Sequence, residues 1–89
     1  MKNINIEDSL NLFIGSYFKR NRKLKKISGK QLGTMLNLSQ QQISRYENGN
    51  TPFTIELMIK LSEILNINTI ELFRNIEKWL IKNKNKNNQ

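Results

Sequence analysis

Three consecutive glutamines, then a serine and an arginine, stand in the stretch SQQQISRYENGN at residues 39–50 and could hydrogen-bond to nucleobases. A glutamine amide offers the donor and acceptor that match adenine N6 and N7, and an arginine guanidinium matches guanine O6 and N7. Ile43 and Tyr46 would fall on the opposite side of a helix that begins at the first glutamine, and Gln42 at the boundary. The base-reading candidates on the exposed face are Gln40, Gln41, Ser44 and Arg45. The alternative is an ordinary solvated helix face with a surface arginine.

The long helix that precedes this stretch is predicted over about residues 8–25. Apolar residues recur there three and four positions apart, which indicates one buried stripe on an amphipathic helix. Asp8 and Ser9 are expected to cap its start, and the sequence KKIS ends it. The predicted stripe consists of Leu10, Phe13, Ile14, Tyr17, Phe18 and Leu24.

Two short helices follow, joined by a tight turn. Ser28 is expected to cap GKQLGTMLN and Ser39 to cap QQQISRYEN, because a serine oxygen can accept a hydrogen bond from a first-turn amide. Asn37 tolerates the left-handed conformation that ends a helix, and Gly49 ends the second helix of the pair. The residues of the first short helix that we expect to face inward are Leu32, Met35 and Leu36.

Two further helices are predicted after the only proline. Thr54 is expected to cap IELMIKLSEILN, and Asn68 or Thr69 is expected to cap a helix over about residues 70–82. Apolar residues at helical spacing in these two segments are Ile55, Met58, Ile59, Leu61, Ile64, Leu65, Leu72, Phe73, Ile76, Trp79 and Leu80.

The fold class predicted from these patterns is all-α, with five helices. No stretch alternates between apolar and polar residues as a half-buried strand does, and no internal repeat is present. Residues 1–82 are therefore expected to form a single domain. Residues 83–89 are basic, rich in asparagine and without periodicity, so we expect them to be disordered.

The two short helices meet the requirements of a helix-turn-helix over about residues 28–48. Gly33 supplies the small residue midway along the first helix, where a glycine otherwise costs roughly 1 kcal/mol relative to alanine. Asn37 suits a turn residue with positive φ. Leu38 and Ile43 are placed to fill the core between the two helices.

The charge distribution indicates a polyanionic partner. The chain of 89 residues has a formal net charge of +8, and no aspartate or glutamate lies between Asp8 and Glu47. Such a surface suits nucleic acid or an anionic membrane. Alternatively, an AT-rich genome favours Lys, Asn and Ile codons, which fits the C-terminal KNKNKNNQ but does not explain the missing acids.

Cysteine and histidine are both missing from the sequence. A disulfide, a thiolate metal site and the commonest general base are thereby excluded, and we expect no enzyme activity, metal or other cofactor. No apolar run approaches the roughly 18 residues of a membrane span, and MKNINIEDSL does not look like a signal peptide. We expect a cytoplasmic, nucleoid-associated protein with neither a membrane nor a small-molecule partner.

From Ser28 to Leu72 the sequence resembles the Cro/C1-type helix-turn-helix family of phage repressors and bacterial regulators. The likeness lies in a capping serine, a leucine followed by a small residue, the run ISRYENG, and the apolar helix ending in Leu65-Asn66-Ile67. It implies a five-helix, lambda-repressor-like DNA-binding domain. The run SQQQISRYE is most similar to small regulators encoded beside fimbrial operons in enteric bacteria.

Two positions depart from that family pattern. Asn37 stands where the turn usually has glycine, and Gly29 stands where a glutamine usually follows the capping residue. The second departure removes a side chain that can brace a phosphate. Backbone amides at a helix N-terminus can still bind one.

The resemblance also assigns roles outside the base-reading face. It implies that Arg22 and Glu47 form a partly buried ion pair, although Arg22 could instead bind phosphate. Phosphate contacts give affinity and register without reading sequence, and each lysine could also be merely solvated. The phosphate-binding candidates are Ser28, Lys30, Ser39, Asn48, Asn50, Thr51, Lys19, Lys23 and Lys26.

The last helix carries more apolar surface than capping a four-helix core requires. One such domain covers too little DNA to be very specific, so we expect a homodimer. The expected interface residues are Phe73, Ile76, Trp79 and Leu80. The alternative is that Trp79 packs on the first helix of its own chain.

These observations predict a sequence-specific regulator of transcription that binds double-stranded DNA at an inverted-repeat operator, with its recognition helix in the major groove. The alternative is an antitoxin-like interaction module with secondary DNA binding, although only KNKNKNNQ is spare to bind a toxin. RNA binding is less well supported, because no aromatic platform is present.

Overall fold

The computed structural model of the protein describes residues 6–87, and side chains through residue 84. These residues form five α-helices and no strand, which confirms the all-α, lambda-repressor-like fold class. The helices are α1 (Ile6–Leu24), α2 (Gly29–Leu36), α3 (Gln40–Glu47), α4 (Ile55–Ile64) and α5 (Thr69–Asn87). α2 packs closely on α3, α1 packs against both α3 and α5, and α4 packs against α5.

The predicted caps of the inner helices are confirmed. The hydroxyl oxygens of Ser28, Ser39 and Thr54 each accept a hydrogen bond from the amide three residues later, at 3.0 Å. The side-chain oxygen of Asn68 accepts from the amide of Ile70 at 2.9 Å, so Asn68 rather than Thr69 caps α5. Each bond satisfies one of the amides that a helix start leaves without a partner.

Left-handed residues close three of the helices. Asn37 has φ 59° and ψ 39°, as predicted, and its amide donates back to the end of α2. Lys26 (φ 59°) and Asn66 (φ 55°) adopt the same conformation after α1 and α4. Asn is at home in this region, whereas Lys is unusual there, and the sequence analysis predicted a left-handed conformation for neither residue.

The core is apolar and draws on every helix. Its buried members are Ile14, Phe18, Leu32, Ile43, Met58, Leu61, Leu65 and Leu72. Ser62 is buried among them and donates its hydroxyl to the carbonyl oxygen of Met58 at 2.8 Å. Burying these side chains gives the short helices α2 and α3 a tertiary support that helices of eight residues lack in isolation.

Three predictions about helix faces and ends are wrong. Met35 is 56 % exposed and Leu24 is 74 % exposed, although both were predicted to face inward. On α2 the buried residues are Leu32 and Gly33, with Leu36 half-buried, and Met35 lies to one side of that face. Leu24 is the last residue of α1. Because α1 begins at Ile6, Asp8 and Ser9 lie within its first turn and not at the position before the helix.

α5 extends past the predicted end of the last helix. It continues to Asn87, so residues 83–87 are helical where the sequence predicted a disordered tail. The side-chain amide of Asn83 donates to the carbonyl oxygen of Trp79 at 2.8 Å, within the helix. Residues 88 and 89, the rest of that predicted tail, lie outside the described residues.

Candidate nucleic-acid interface

The close approach of α2 to α3 depends on Gly33. A Cβ atom at this position would lie 2.5 Å from the carbonyl oxygen of Leu38 and 3.3 Å from the carbonyl carbon of Ser39. The amide of Leu38 in turn donates to the carbonyl oxygen of Gly33 at 2.7 Å. Backbone packs directly on backbone here, so the turn and the start of α3 have one position relative to α2.

α1 holds the other end of α3, again through a glycine. A Cβ at Gly15 would overlap the carbonyl oxygen of Tyr46 and would lie 2.6 Å from that of Glu47. Two turns further along α1, the Arg22 guanidinium donates from Nε and Nη2 to the two carboxylate oxygens of Glu47, at 2.7 and 3.0 Å. Both side chains of this ion pair are buried.

Arg22 also joins a third element to this contact. Its Nη1 donates to the carbonyl oxygen of Ile27, at 2.8 Å, in the link between α1 and α2. Each of the three guanidinium nitrogens therefore has a partner within the chain, a carboxylate oxygen or a backbone carbonyl, and the residue is buried. The ion pair of Arg22 with Glu47 that the resemblance implies is thus present, and it joins α1, α3 and the segment between α1 and α2.

The exposed face of α3 carries the four residues proposed from the sequence to read bases. All four side chains are exposed. Among the described residues, those of Gln40, Gln41 and Arg45 have no hydrogen-bond partner within the chain. Ser44 differs, because its hydroxyl accepts from the side-chain amide of Asn48 at 3.2 Å. The donors and acceptors of this face are therefore mostly available to a ligand.

The third glutamine of the run has a different task. The side-chain oxygen of Gln42 accepts from the amide of Ser39 at 2.8 Å and closes a capping box with the Ser39 hydroxyl. Gln31 makes the same pair of bonds with Ser28 at the start of α2. The two helices of the motif thus begin with the same local structure.

The N-termini of α2 and α3 lie side by side. A Cβ at Gly29 would lie 3.7 Å from Cγ of Gln40, an ordinary van der Waals distance. Ser28 and Lys30, both exposed, flank Gly29, and exposed Ser39 precedes Gln40. Two positive helix ends with their flanking hydroxyls and one lysine form an edge suited to an anion.

The loop after α3 packs on the first half of α1. Gly49 has φ 77°, and a Cβ there would lie 2.8 Å from Cα of Leu12. Asn48 and Asn50 are exposed on either side of it, whereas Thr51 is half-buried. These candidates for phosphate binding follow directly on from the exposed face of α3.

The remaining basic candidates lie along α1 and at its end. Lys19 and Lys23 line a shallow surface groove on α1 that also includes Arg20. Lys26 is exposed in the link to α2. They flank the buried contact of α1 with α3, which runs through Gly15 and Arg22.

The predicted dimer residues are mostly engaged within the chain. Trp79 stacks on Phe13 of α1, with ring centroids 5.7 Å apart and planes at 23°, as the alternative interpretation expected. Phe73 and Ile76 pack against the core. Leu80 alone of the four is exposed, at 38 %. The apolar surface predicted for assembly is therefore largely the surface that binds α5 to α1.

The structural roles of three residues were not predicted from the sequence. Gly15 carries the same signal as Gly33, a glycine inside a helical pattern. Gln31 and Gln42 each stand three residues after a capping serine, which is the sequence signature of a capping box.

Comparison with known proteins identifies the family of this chain. No curated protein matches the chain. Across the part of the chain that the structure describes, no helix is both long and apolar enough to cross a membrane. A family model described as helix-turn-helix matches residues 18–72, which is more than half of the chain and includes all of α2, α3 and α4. The chain belongs to the Cro/C1-type helix-turn-helix family of DNA-binding regulators.

Proposed function

We propose that this protein is a sequence-specific regulator of transcription that inserts α3 into the major groove of double-stranded DNA. The observation that carries the proposal is the exposed face of α3, where Gln40, Gln41 and Arg45 have no partner among the described residues while both ends of the helix are held by backbone contacts. A rigid helix with unsatisfied amide and guanidinium groups suits base edges, because direct readout needs side chains held in register.

Discrimination between bases is assigned to Gln40, Gln41, Ser44 and Arg45. The amides match adenine and the guanidinium matches guanine. Support for leaving out Gln42 comes from its bond to the Ser39 amide. Ser44 is expected to bind more weakly than the others, since its hydroxyl is shared with Asn48.

Affinity and register are assigned to the residues that border this face. Support comes from the paired N-termini of α2 and α3, with Ser28, Lys30 and Ser39, and from the loop after α3. The other members of this set are Lys19, Lys23, Lys26, Asn48, Asn50 and Thr51. They would bind phosphates through hydroxyl, amide and ammonium groups, which gives binding that weakens steeply with salt.

The operator is expected to be an inverted repeat read by a homodimer. A single eight-residue reading helix contacts few base pairs, so specificity in a genome requires a second copy. The narrower proposal is that the protein acts in the cytoplasm on the nucleoid as a repressor of a fimbrial-type operon. That narrower proposal rests on the likeness of SQQQISRYE alone.

Selection of bound sites from random duplexes, followed by titration of the selected site, tests the proposal. Gln41→Ala and Arg45→Ala should each weaken binding to the selected site by roughly 1–3 kcal/mol and binding to random duplex much less. Lys30→Ala is the matched control, because loss of a phosphate contact should weaken both duplexes alike and reduce the salt slope by about one. An unchanged ratio between the two duplexes in both α3 variants would contradict the assigned face.

A further inference from the structure

The hydroxyl of Ser44 is bonded differently from the hydroxyls of two other helical residues. Those of Thr34 and Ser62 donate to the carbonyl oxygen four residues before them, at 3.1 and 2.8 Å. The Ser44 hydroxyl makes no such bond in the part of the chain that the structure describes. It accepts instead from Nδ2 of Asn48, four residues after it, at 3.2 Å. The proton of the Ser44 hydroxyl therefore has no acceptor among the described residues.

Asn48 reaches Ser44 from a backbone position that is itself fixed. Asn48 is the C-cap of α3, and its backbone amide donates to the carbonyl oxygen of Ser44 at 2.9 Å. A spacing of four residues places the two side chains on the same side of the helix. Both residues are exposed, so the bonded pair lies at the border of the face proposed to read bases.

The direction of this bond determines what Ser44 offers to a base. A serine hydroxyl has one proton and two lone pairs, and the Asn48 amide occupies one of the lone pairs. A hydroxyl that accepts one hydrogen bond donates a stronger one. A base with an acceptor would satisfy the free proton. A base with only a donor would leave that proton without a partner in the interface, which is unfavourable once water is excluded.

Cytosine is the one base that lacks an acceptor in the major groove. Guanine presents N7 and O6, adenine presents N7 and thymine presents O4, whereas cytosine presents only its N4 amino group. A serine hydroxyl that can turn freely pairs with donors and acceptors alike. The same hydroxyl held as a donor therefore discriminates against cytosine.

We propose that Asn48 is a positioning residue for base reading, which holds the Ser44 hydroxyl as a hydrogen-bond donor and makes its base pair selective against cytosine. The inference rests on the proposed function, in which Ser44 faces a base. Asn48 acts through Ser44 and touches no base in this arrangement. The second hydrogen of its Nδ2 stays available for the phosphate assigned to Asn48, so one amide would connect a phosphate contact to a base contact.

The variant Asn48→Asp reverses the bond. A carboxylate has no hydrogen to donate, so it accepts the Ser44 proton and leaves the lone pairs of the hydroxyl facing the groove. Selection of sites with the wild type and with Ser44→Ala identifies the base pair that Ser44 reads, because its preference is lost in the variant. The wild type should bind cytosine there about three- to tenfold more weakly than its best base. Asn48→Asp should remove that penalty and favour cytosine or adenine, which present amino groups.

Matched variants separate this effect from that of added negative charge. Asn50→Asp adds the same charge at an exposed position of the same loop, and Asn50 has no side-chain bond to Ser44 among the described residues. It should weaken binding to every duplex and leave the base preference unchanged. The double variant Ser44→Ala/Asn48→Asp should show no preference at the Ser44 base pair, because the carboxylate acts on that preference only through the serine hydroxyl.

Nuclear magnetic resonance of the free protein tests the hydrogen bond without DNA. Loss of the acceptor in Ser44→Ala should move the side-chain amide protons of Asn48 upfield and leave those of Asn50 in place. Circular dichroism of every variant should show the wild-type helix content, which distinguishes a changed contact from lost folding.

Two outcomes would overturn the inference. They are Asn48 amide protons that do not move in Ser44→Ala, and an Asn48→Asp protein that keeps the wild-type preference at the Ser44 base pair. If Gln41→Ala and Arg45→Ala still change the preference at their own base pairs, the proposed function stands although this inference fails. A wild-type protein that selects no site at all would contradict the proposed function, and this inference with it.

Discussion

The contact of α1 with α3 and the contact of α1 with α5 share one long helix but are formed by different kinds of chemical group. Toward α3, Gly15 meets backbone atoms and Arg22 meets a buried carboxylate, at distances that a single added atom would violate. Toward α5, Phe13 stacks on Trp79, and apolar side chains fill the space around them. The first contact depends on the positions of backbone atoms and charged groups, whereas the second depends on the area of apolar surface that is buried.

This difference between the two contacts fits the role of each: one positions the proposed reading helix α3, and the other holds α5 on α1. A reading helix displaced by one ångström loses hydrogen bonds to base edges, whereas an apolar contact can repack with little loss. A titratable group near the second contact, the Tyr17 hydroxyl, is affected chiefly by burial. Burial first, and then the carboxylate of Glu71, raise the pKa of the Tyr17 hydroxyl, against an opposing effect of Arg20.

Removing the carboxylate of the buried ion pair should have the largest effect. Glu47→Gln leaves the Arg22 charge buried opposite an amide, which should lower the free energy of unfolding by about 3–5 kcal/mol. Urea denaturation measures it. Replacing both partners, as in Arg22→Met/Glu47→Leu, should recover most of that stability, because no charge is then left buried. A loss below about 1 kcal/mol in Glu47→Gln would refute the difference between the two contacts.

Truncating the aromatic ring on α5 should cost less and should tolerate substitution. Trp79→Ala removes the stack on Phe13, and because Trp79 is only half-buried we expect a loss of about 2–3 kcal/mol in urea denaturation. Trp79→Phe should lose less than about 1.5 kcal/mol, since an aromatic ring can repack there. If Trp79→Phe lost as much stability as Trp79→Ala, the contact of α1 with α5 would be as sensitive to substitution as the contact of α1 with α3.

Adding a methyl group at the α2–α3 contact tests its rigidity. Gly33→Ala places a Cβ 2.5 Å from the Leu38 carbonyl oxygen, and backbone on both sides leaves little room to move. The strain should exceed the gain in helix propensity and cost about 1–3 kcal/mol of stability. Urea denaturation measures the loss. The displaced α3 should also bind its selected DNA site less well, and a variant that is stable and binds normally would contradict the rigid contact.

The sequence predicted those features that depend on neighbouring residues. Ser28, Ser39 and Thr54 cap their helices because the partner amide is three residues away, and Asn37 is left-handed because its helix must end. Features that depend on distant residues were not predictable in this way. The partner of Trp79 and the exposure of Met35 depend on how helices cross, which the spacing of apolar residues does not specify.

The candidate site shows the same division. The exposed face of α3 follows from helix periodicity, and the structure exposes all four of its proposed residues. The capping bond of Gln42 could also have been predicted, because Gln42 stands three residues after Ser39. The bond of Ser44 to Asn48 requires the geometry of the helix end, which sequence alone leaves open.

Gly29→Ala should have the smallest effect, and it serves as the matched control for Gly33→Ala. Both glycines lie in α2, but a Cβ at Gly29 would lie 3.7 Å from Cγ of Gln40, a flexible side chain at ordinary contact distance. With no clash and no positive φ, the alanine should stabilise the protein by about 0.4–1 kcal/mol through the unfolded chain. Urea denaturation measures the change, and binding to the selected DNA site shows whether Gln40 keeps its position. A destabilised Gly29→Ala protein would mean that the start of α2 is packed as tightly as its middle, and the rigid contact would then extend along the whole helix.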